Sequence, residues 1–305
     1  MKMMRLSQKQ KNILALSVLL SMLLLGIGIM VYPLISSAYM EKVQSQIQTQ
    51  YQEQIKKSNT DQLDELRKAA EQYNQRLASG ELSLLEPEEN GYFEQLMIPD
   101  VTSVMAYIHI PKIHVDLPVY HGVGSDSLSS GCGHMPQSSL PIGGESTHAV
   151  ISAHTGMASS AMFSDLPLLA PGDTFQVDVL GESLTYEIQS AEDIRTVLPV
   201  EVQTVQIQNG EDLCTLVTCV PFGVNTHRLL VTGHRIPTPT SPEPVTETEN
   251  GHEEQPKSVW LDEYVRTVKI GLIVVHVILL AALLAFIFLR RKGRYEKVKG
   301  DRRNA

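Results

Sequence analysis

The sequence predicts a mainly β domain in the middle of the chain, with a helical region before it and an apolar segment near each end. Three observations lead to this fold class. Residues 105–236 contain about eight short β-branched or aromatic segments separated by Gly, Pro, Asp and Ser. Residues 36–80 carry apolar side chains at intervals of three and four. Two uncharged apolar runs are long enough to cross a membrane.

The two apolar runs predict membrane-spanning helices at residues 12–35 and 267–289. Ile13 to Ile35 is 23 residues without a charge, and Ile270 to Leu289 is 20. A helix needs about 20 apolar residues to cross a bilayer core. Because residues 36–38 resemble a small-residue cleavage site, a cleaved signal peptide is the alternative for the first run. We favour an uncleaved anchor, since the run is longer than the usual apolar region of about 7–15 residues.

The charges beside these runs predict their orientation. Residues 1–11 carry +4 and residues 290–305 carry +6, which leaves −19 on residues 12–289 from the chain total of −9. Lys and Arg beside a span are retained in the cytoplasm. Both basic tails are therefore expected to be cytoplasmic and the acidic middle extracytoplasmic, at the cell membrane. The middle lacks a basic surface, so no nucleic-acid partner is expected.

Residues 36–80 are expected to be helical, as one helix or two. The pattern is interrupted near Lys56–Asp61, where Asn59 or Thr60 could cap a second helix. The apolar stripe is expected to pack on the domain that follows. Residues 81–104 are irregular and acidic, and they form either a linker or a lid.

The β domain is expected to be a barrel or a sandwich. One short helix is expected inside it, at Ser160–Leu169, and residues 237–266 are interpreted as a Pro-, Thr- and Glu-rich spacer. The predicted strands are Ala106–Ile110, Ile113–Tyr120, His148–Ala153, Thr174–Leu180, Ser183–Gln189, Ile194–Val197, Leu213–Cys219 and Arg228–Thr232.

The residues with the clearest chemical meaning lie in segment 215–235. Cys219 ends a β-branched strand and is followed at once by Pro221 and Gly223, so its thiol is expected at an accessible strand end. Arg228 opens the next apolar strand. In a hairpin the two side chains would converge, and a fixed cation there can hold an oxyanion. A buried structural cysteine and a surface arginine are the alternatives.

A thiol nucleophile needs a base partner, and the chain has 10 histidines. His154 is favoured by its position, because it follows an apolar strand and precedes a Gly turn. His148 starts the same strand and is expected at the other end. His227 is expected to face away from Arg228. Four further histidines lie in early strands or loops without a thiol or turn signal beside them, namely His109, His114, His121 and His134.

Three cysteines are an odd number for a domain outside the cytoplasm. Residues five apart in a strand point to opposite faces, so a disulfide between Cys214 and Cys219 is not expected. Cys132 and Cys214 are interpreted as packing residues. Cys132 and His134 lack a second ligand pair for zinc. The Gly-Gly pair at 143–144 is not a phosphate-binding loop, because it precedes a strand and does not open a helix. No metal and no cofactor is therefore expected.

At these residues the sequence resembles the sortases, and most closely the class C sortases that assemble pili. The resemblance covers about residues 105–236. Its Thr-Cys motif with Asn-Thr-His-Arg-Leu-Leu-Val downstream is specific, and two spans around an exterior domain are also typical of class C. The matching segments are Tyr107–Ile113, Leu117–Gly122, Ser139–Val150, Ser152–Gly156, Met162–Leu166 and Leu216–Arg235.

The resemblance implies an eight-stranded β-barrel with Cys219 as nucleophile, His154 as acid/base and Arg228 as stabiliser of the substrate and the oxyanion. It implies a membrane-anchored cysteine transpeptidase that cleaves an LPXTG-like sorting signal between Thr and Gly and joins the acyl group to an amine. In class C the amine belongs to a pilin lysine. The expected partners are pilins or other surface proteins with C-terminal sorting signals, on a Gram-positive cell.

Three other functions remain open from the sequence. A sortase could attach single proteins to a cell-wall precursor instead of polymerising pilins. A hydrolytic cysteine peptidase would need only to admit water to the same thioester. A non-catalytic, membrane-anchored assembly scaffold is disfavoured because the Cys, His and Arg are all present.

The sequence departs from the family pattern beside the predicted site. Ala153 and Thr155 flank His154, where the family commonly has Gly and Arg, and Val220 follows the cysteine where many members have Thr.

The sequence also departs from the family pattern in the region of the lid. The family's lid carries an Asp-Pro-aromatic anchor, and the nearest match here is Glu86-Pro87-Glu88, with aromatic residues further on. A lid built from residues 81–104 is thus a hypothesis beside a plain linker. Its candidate residues are Glu86, Pro87, Tyr92 and Phe93.

Overall fold

The computed structural model describes residues 7–82, 86–98, 104–157, 160–238 and 259–301. The chain divides into two compact units, Met1–Ile35 with Leu261–Ala305, and Ser36–Trp260. Two long helices, α1 (Gln8–Lys57) and α4 (Val259–Asp301), contain segments long and apolar enough to span a membrane, namely Gln10–Lys57 and Tyr264–Ala282. Most of the predicted spacer and the outermost residues of both basic tails lie outside the described residues.

The predicted helical region consists of the end of α1 and a second helix, α2 (Thr60–Ala78). The break falls where the sequence predicted it. Asn59 caps α2, because its side chain accepts a hydrogen bond from the backbone N–H of Asp61 at 3.4 Å. The buried residues of α2 include Asn74, whose side chain bonds both the N–H and the carbonyl of Leu140, at 2.7 and 3.1 Å. The stripe thus packs on the β domain, as expected.

The β domain is a closed barrel of eight strands, which confirms the predicted fold class. Neighbouring strands follow the order β6-β5-β1-β2-β3-β4-β8-β9, and pairing of β6 with β9 closes the sheet, while β7 adds to the first half of β9. The strands are β1 (Val104–Ile110), β2 (Val115–His121), β3 (Cys132–His134), β4 (Thr147–Ser152), β5 (Thr174–Val179), β6 (Glu182–Glu187), β7 (Ile194–Val197), β8 (Asp212–Val220) and β9 (His227–Ile236).

Two local predictions differ from the structure. The sequence analysis missed β3, a three-residue strand with a central glycine, and the short helix α3 (Ser125–Ser130) that leads into it. The helix predicted at Ser160–Leu169 is wrong, because its described residues form only a single 3-10 turn at Leu166–Leu168. Pro167 removes a backbone donor there, and Met162 has a positive φ of 47° that no α-helix accommodates.

The barrel interior is filled by alternate side chains of the strands. At Gly233 of β9, an added Cβ would lie 2.6 Å from the Phe175 ring and 2.7 Å from Cβ of Tyr186. Any larger residue would therefore displace the core at this point. Five of the fully buried inward residues are Ile108, Val119, Phe175, Leu216 and Val231.

Part of the barrel exterior is also covered. We call the outside of β4, β8 and β9 the outer face, and residues 198–211 the β7–β8 loop. A small apolar cluster on the outer face consists of Val150, Val217 and Leu230, with Val202 of the loop packed on it. The candidate active site lies on this face.

Candidate active site

Cys219 lies on the outer face at the carboxyl end of β8. Along this strand Cys214 and Leu216 belong to the barrel core, and Val217 belongs to the outer cluster. Because side chains alternate in a strand, Cys219 shares the outer face with Val217. Cys214 is fully buried and Cys219 is half-buried, so of these two thiols Cys219 is the accessible one.

Arg228 is the direct partner of Cys219 in the antiparallel pair of β8 and β9. Side chains directly opposite each other in such a pair have Cβ atoms about 4.5–5.5 Å apart. Nη1 of Arg228 donates to the carbonyls of Asn225 and His227, at 3.1 and 3.0 Å. The turn between the strands therefore holds the guanidinium beside the thiol.

His154 follows β4, which runs parallel to β8. The last residue pair of the two strands is Ser152 with Val217. The backbone contact continues beyond it, since the Ala153 N–H donates to the Val217 carbonyl at 3.1 Å and the Thr218 hydroxyl donates to the Ala153 carbonyl at 2.9 Å. Ala153 faces the core. By register and alternation, His154 is level with Cys219 on the outer face.

The loop after His154 packs against the turn after Cys219. The His154 carbonyl accepts a hydrogen bond from the Phe163 N–H at 3.1 Å, and the Gly156 N–H donates to the buried hydroxyl of Ser164 at 3.0 Å. Gly156 has φ +76°, and an added Cβ there would lie 3.3 Å from the ring of Phe222. The two loops that carry the candidate residues are thus in contact.

Arg228 contributes a positive charge at this strand end. Within the described part of the chain, no Asp or Glu lies at ion-pair distance from Arg228. A guanidinium is permanently charged. A cation at this position can stabilise a developing oxyanion.

Comparison with known proteins shows what this arrangement is similar to. Residues 108–236 match the sortase domain family model. The structure of sortase C1 from Streptococcus agalactiae is 42% identical with a TM-score of 0.58, and the match covers 63% of this chain and 98% of that one. The chain belongs to the sortase family.

Two further relatives were found for this sortase. The structure of Clostridium perfringens sortase C with the C-terminal cell wall sorting motif is 36% identical with a TM-score of 0.53, and covers 62% of this chain and 97% of that one. Sortase A of Streptococcus agalactiae serotype III is 31% identical over 117 residues, 38% of this chain. The sortase spans only 47% of the length of that relative. Both of these solved structures are of class C sortases.

The other histidines of the sortase are placed differently from His154. His134 is fully buried, with its ring against the Ser139 carbonyl at 2.8 Å, and burial lowers its pKa to about 4. Burial also lowers the pKa of His148, which lies on the outer face at the far end of β4. His227 pairs with Val220 and thus points away from the outer face, as expected.

The remaining cysteines are packing residues in the structure. Cys132 and Cys214 are fully buried, and all three cysteines are free thiols. Burial raises the pKa of both buried thiols, which keeps them protonated. Among the described residues, no group of His, Cys, Asp and Glu is arranged to hold a metal ion.

The side chain of Tyr92 lies in the barrel core. Tyr92 is fully buried, and its hydroxyl lies 3.0 Å from Nδ1 of His134 and accepts from the Gly122 N–H at 2.9 Å. His134 pairs with Ile151, and the chain beyond it leads away from His154. Tyr92 therefore anchors segment 86–98 to the barrel, and its part in a lid stays a prediction.

The other three candidate lid residues lie nearer the surface. Phe93 is 40% exposed and packs edge-on against Tyr92, with ring centroids 4.9 Å apart. Glu86 is exposed, and its carbonyl accepts from the N–H groups of Glu89 and Asn90 in a turn that includes Pro87. Residues 83–85 and 99–103 of the predicted lid lie outside the described residues. A lid that uses Glu86, Pro87, Tyr92 and Phe93 stays a prediction.

Proposed function

We propose that this sortase is a membrane-anchored cysteine transpeptidase that cleaves an LPXTG-like sorting signal between Thr and Gly and transfers the acyl group to an amine. The observation that carries the proposal is the strand register. Arg228 pairs with Cys219, and the pairing of Ser152 with Val217, continued by two residues, predicts that His154 lies beside the thiol. A nucleophile, a fixed cation and an acid/base group are the set that acyl transfer through a thioester needs.

In the first step, Sγ of the Cys219 thiolate attacks the carbonyl carbon of the substrate Thr. The guanidinium of Arg228 stabilises the oxyanion that forms. As the C–N bond to Gly breaks, protonated His154 donates its proton to the leaving amine. The products are a thioester on Cys219 and a free amino-terminal Gly peptide.

In the second step, an amine attacks the thioester carbonyl. The C–S bond breaks, an amide bond forms, and neutral His154 takes the proton from the attacking nitrogen. This restores the thiolate and the protonated histidine. Storage of the acyl group as a thioester allows an amine to take it in place of water.

The exposed apolar surface beside the outer face supports a peptide substrate. Val217 and Leu230 are buried beneath Val202 of the β7–β8 loop, and this loop begins beside Arg228, because Val197 pairs with Arg228. The β7–β8 loop beside them exposes Val200 at 69% and Leu198 at 50%. Apolar side chains of a sorting signal would find complementary surface next to the thiol.

We assign the amine to a pilin lysine and the role to pilus polymerisation, with both chain termini in the cytoplasm. The likeness to class C structures supports the acceptor. The two candidate spans and their basic flanks support anchoring at both ends of an extracytoplasmic domain.

The test uses the reduced full-length protein in detergent with a fluorescent LPXTG peptide. Two acceptors compete, a lysine-containing pilin peptide and a cell-wall stem peptide. The Glu86→Ala/Pro87→Ala variant is run in parallel so that a closed lid cannot hide activity. Cys219→Ala is the inactive control.

A Thr-linked adduct of the lysine peptide is the expected product. Preference for the stem peptide would replace the pilus role with wall anchoring. Free Thr acid as the main product would indicate a hydrolase. Absence of cleavage by both the native protein and the lid variant would overturn the enzymatic proposal in favour of a scaffold.

A further inference from the structure

The β7–β8 loop covers the outer face immediately beside the candidate active site. Its residue Val202 is buried against Val150, Val217 and Leu230. Val217 and Leu230 are each two residues from a member of the Cys219–Arg228 pair. The position of this loop therefore determines the width of the surface that a peptide bound at Cys219 would meet.

A buried histidine holds this loop by its backbone. Nδ1 of His148 lies 2.8 Å from the carbonyl of Gln206, in the loop. A carbonyl only accepts hydrogen bonds, so Nδ1 carries the hydrogen. Because His148 is only 5% exposed, water has little access to this contact.

The other ring nitrogen is held by two hydroxyls. Nε2 of His148 lies 2.7 Å from the Thr215 hydroxyl, which lies 2.8 Å from the Thr232 hydroxyl. With Nδ1 protonated, a neutral ring accepts at Nε2 from Thr215, which can in turn accept from Thr232. The network joins β4, β8 and β9 to the loop, and the side chains lie on the outer face shared with Cys219.

The surroundings keep the ring neutral. Burial lowers the pKa of His148, and the nearby Arg195 of β7 and His234 of β9 lower it further by charge. The groups that contact the ring from β8 and the loop, a hydroxyl and a carbonyl, carry no charge. The hydrogen-bond directions are therefore stable at neutral pH.

We propose that His148 is a positioning residue for the transpeptidation reaction. It fixes the β7–β8 loop through Gln206, and so sets the wall of the groove that binds the apolar part of the sorting signal. It touches neither the thiol nor the reacting carbonyl. This inference rests on the proposed function for its kinetic consequence, but the loop contact itself can be tested without activity.

Two substitutions separate the two ring contacts. The amide nitrogen of His148→Asn occupies roughly the place of Nδ1 and can still donate to Gln206. The amide of His148→Gln extends to the place of Nε2 and loses that donor. We expect His148→Gln to raise KM for the LPXTG peptide about five- to tenfold, as for one lost buried hydrogen bond, with kcat within about twofold. His148→Asn should restore KM to within about twofold of the native value.

Hydrogen exchange in the full-length protein provides the independent readout. Amides around Gln206 should exchange faster in His148→Gln and at the native rate in His148→Asn, with β8 unchanged in both. The alkylation rate of Cys219 by a small reagent should also stay unchanged. Equal loop exchange in the two variants, or equal KM values, would overturn the inference. If neither the native protein nor the two variants show transpeptidation, but loop exchange differs between His148→Gln and His148→Asn as expected, the proposed function fails and the loop contact stands.

Discussion

At the scale of single residues, the candidate site depends on side chains that the backbone holds in place. Nη1 of Arg228 donates to two carbonyls of its own turn, and these two hydrogen bonds do not use Nε or Nη2. Gly156 provides the close approach between the His154 loop and Phe222. At Arg228 a substitution can separate the effect of side-chain geometry from that of charge. At Gly156 it can separate an effect on activity from an effect on stability.

Replacing Arg228 by lysine should impair the reaction although it keeps the charge. Lysine lacks the planar fork that can bond the turn and an oxyanion together. We expect Arg228→Lys to lower kcat/KM by about 10²-fold, comparable to loss of one oxyanion donor. Peptide cleavage kinetics check this, with Arg76→Lys on α2 as the control. A loss below threefold would contradict an oxyanion role.

Replacing Gly156 by alanine should damage the site more than the fold. The positive φ costs about 1 kcal/mol for a residue with a Cβ, and the new methyl group would press on Phe222. Gly172→Ala is the matched control, because Gly172 has φ +91° and nothing within 4 Å of an added Cβ. Both variants should lose similar stability in thermal unfolding. Only Gly156→Ala should lower kcat/KM, by tenfold or more. Equal kcat/KM values for the two variants would show that the contact between the His154 loop and Phe222 does not affect the reaction.

At the scale of elements, the barrel is fastened by polar contacts that cross from one strand to another. His109 of β1 lies 3.0 Å from Asp116 of β2 through Nδ1 and 3.0 Å from Asp178 of β5 through Nε2. Gln48 of α1 also bonds Asp116, at 3.1 Å. These contacts tie three strands and a helix together on the side of the barrel.

The His109 cluster predicts a pH dependence of stability. Although burial opposes it, hydrogen bonds to the two carboxylates raise the pKa of His109 to about 9. A raised folded-state value gives stability that is fully present below the unfolded pKa of about 6.5 and is lost as pH rises through about 9. His109→Gln should therefore lower the free energy of unfolding by about 2 kcal/mol at pH 6 and by much less at pH 10. Urea unfolding measures this, with His227→Gln as control, and a pH-independent loss would disprove it.

Segment 86–98 predicts two different effects within one element. Tyr92→Ala should lower the free energy of unfolding by about 3–5 kcal/mol, because it empties a fully buried aromatic site. Glu86→Ala, at an exposed turn, should hardly change stability. If residues 81–104 close over the thiol, Glu86→Ala should instead speed alkylation of Cys219. An unchanged alkylation rate of Cys219 would show that this segment is a linker and not a lid.

At the scale of the whole molecule, the ends of the chain carry a prediction about topology. The basic tails of +4 and +6 surround an acidic middle of −19. In intact cells, epitope tags at both termini should be protected from added protease. Cys219 should react with a membrane-impermeant thiol reagent, and Cys219→Ala is the control for that labelling. Accessibility of either tag would contradict the two-span topology.

Much of the fold was predictable because strand periodicity is local. The eight predicted strands all exist, and their alternation separated Cys219 from Cys214 before any tertiary information. The missed β3 is too short for a periodic signal. The false helix at Ser160–Leu169 arose from apolar spacing that Pro167 and the contacts of Ser164 override. The burial of Tyr92 was not predictable, because aromatic residues in a lid and in a core look alike in a sequence.

The sequence by itself determined the two candidate membrane spans, the strands and the hairpin that pairs a thiol with a guanidinium. Each of these depends on neighbours within a few residues, or on hydrophobicity over a short window. Only the tertiary structure decided that His154, 65 residues before Cys219, comes level with it across β4 and β8. The pairing of β6 with β9 and the hydrogen bond between His148 and Gln206 of the β7–β8 loop also join residues that are far apart in the sequence, so only the tertiary structure shows them. The register between distant strands is set by packing of the whole barrel, which no local pattern encodes.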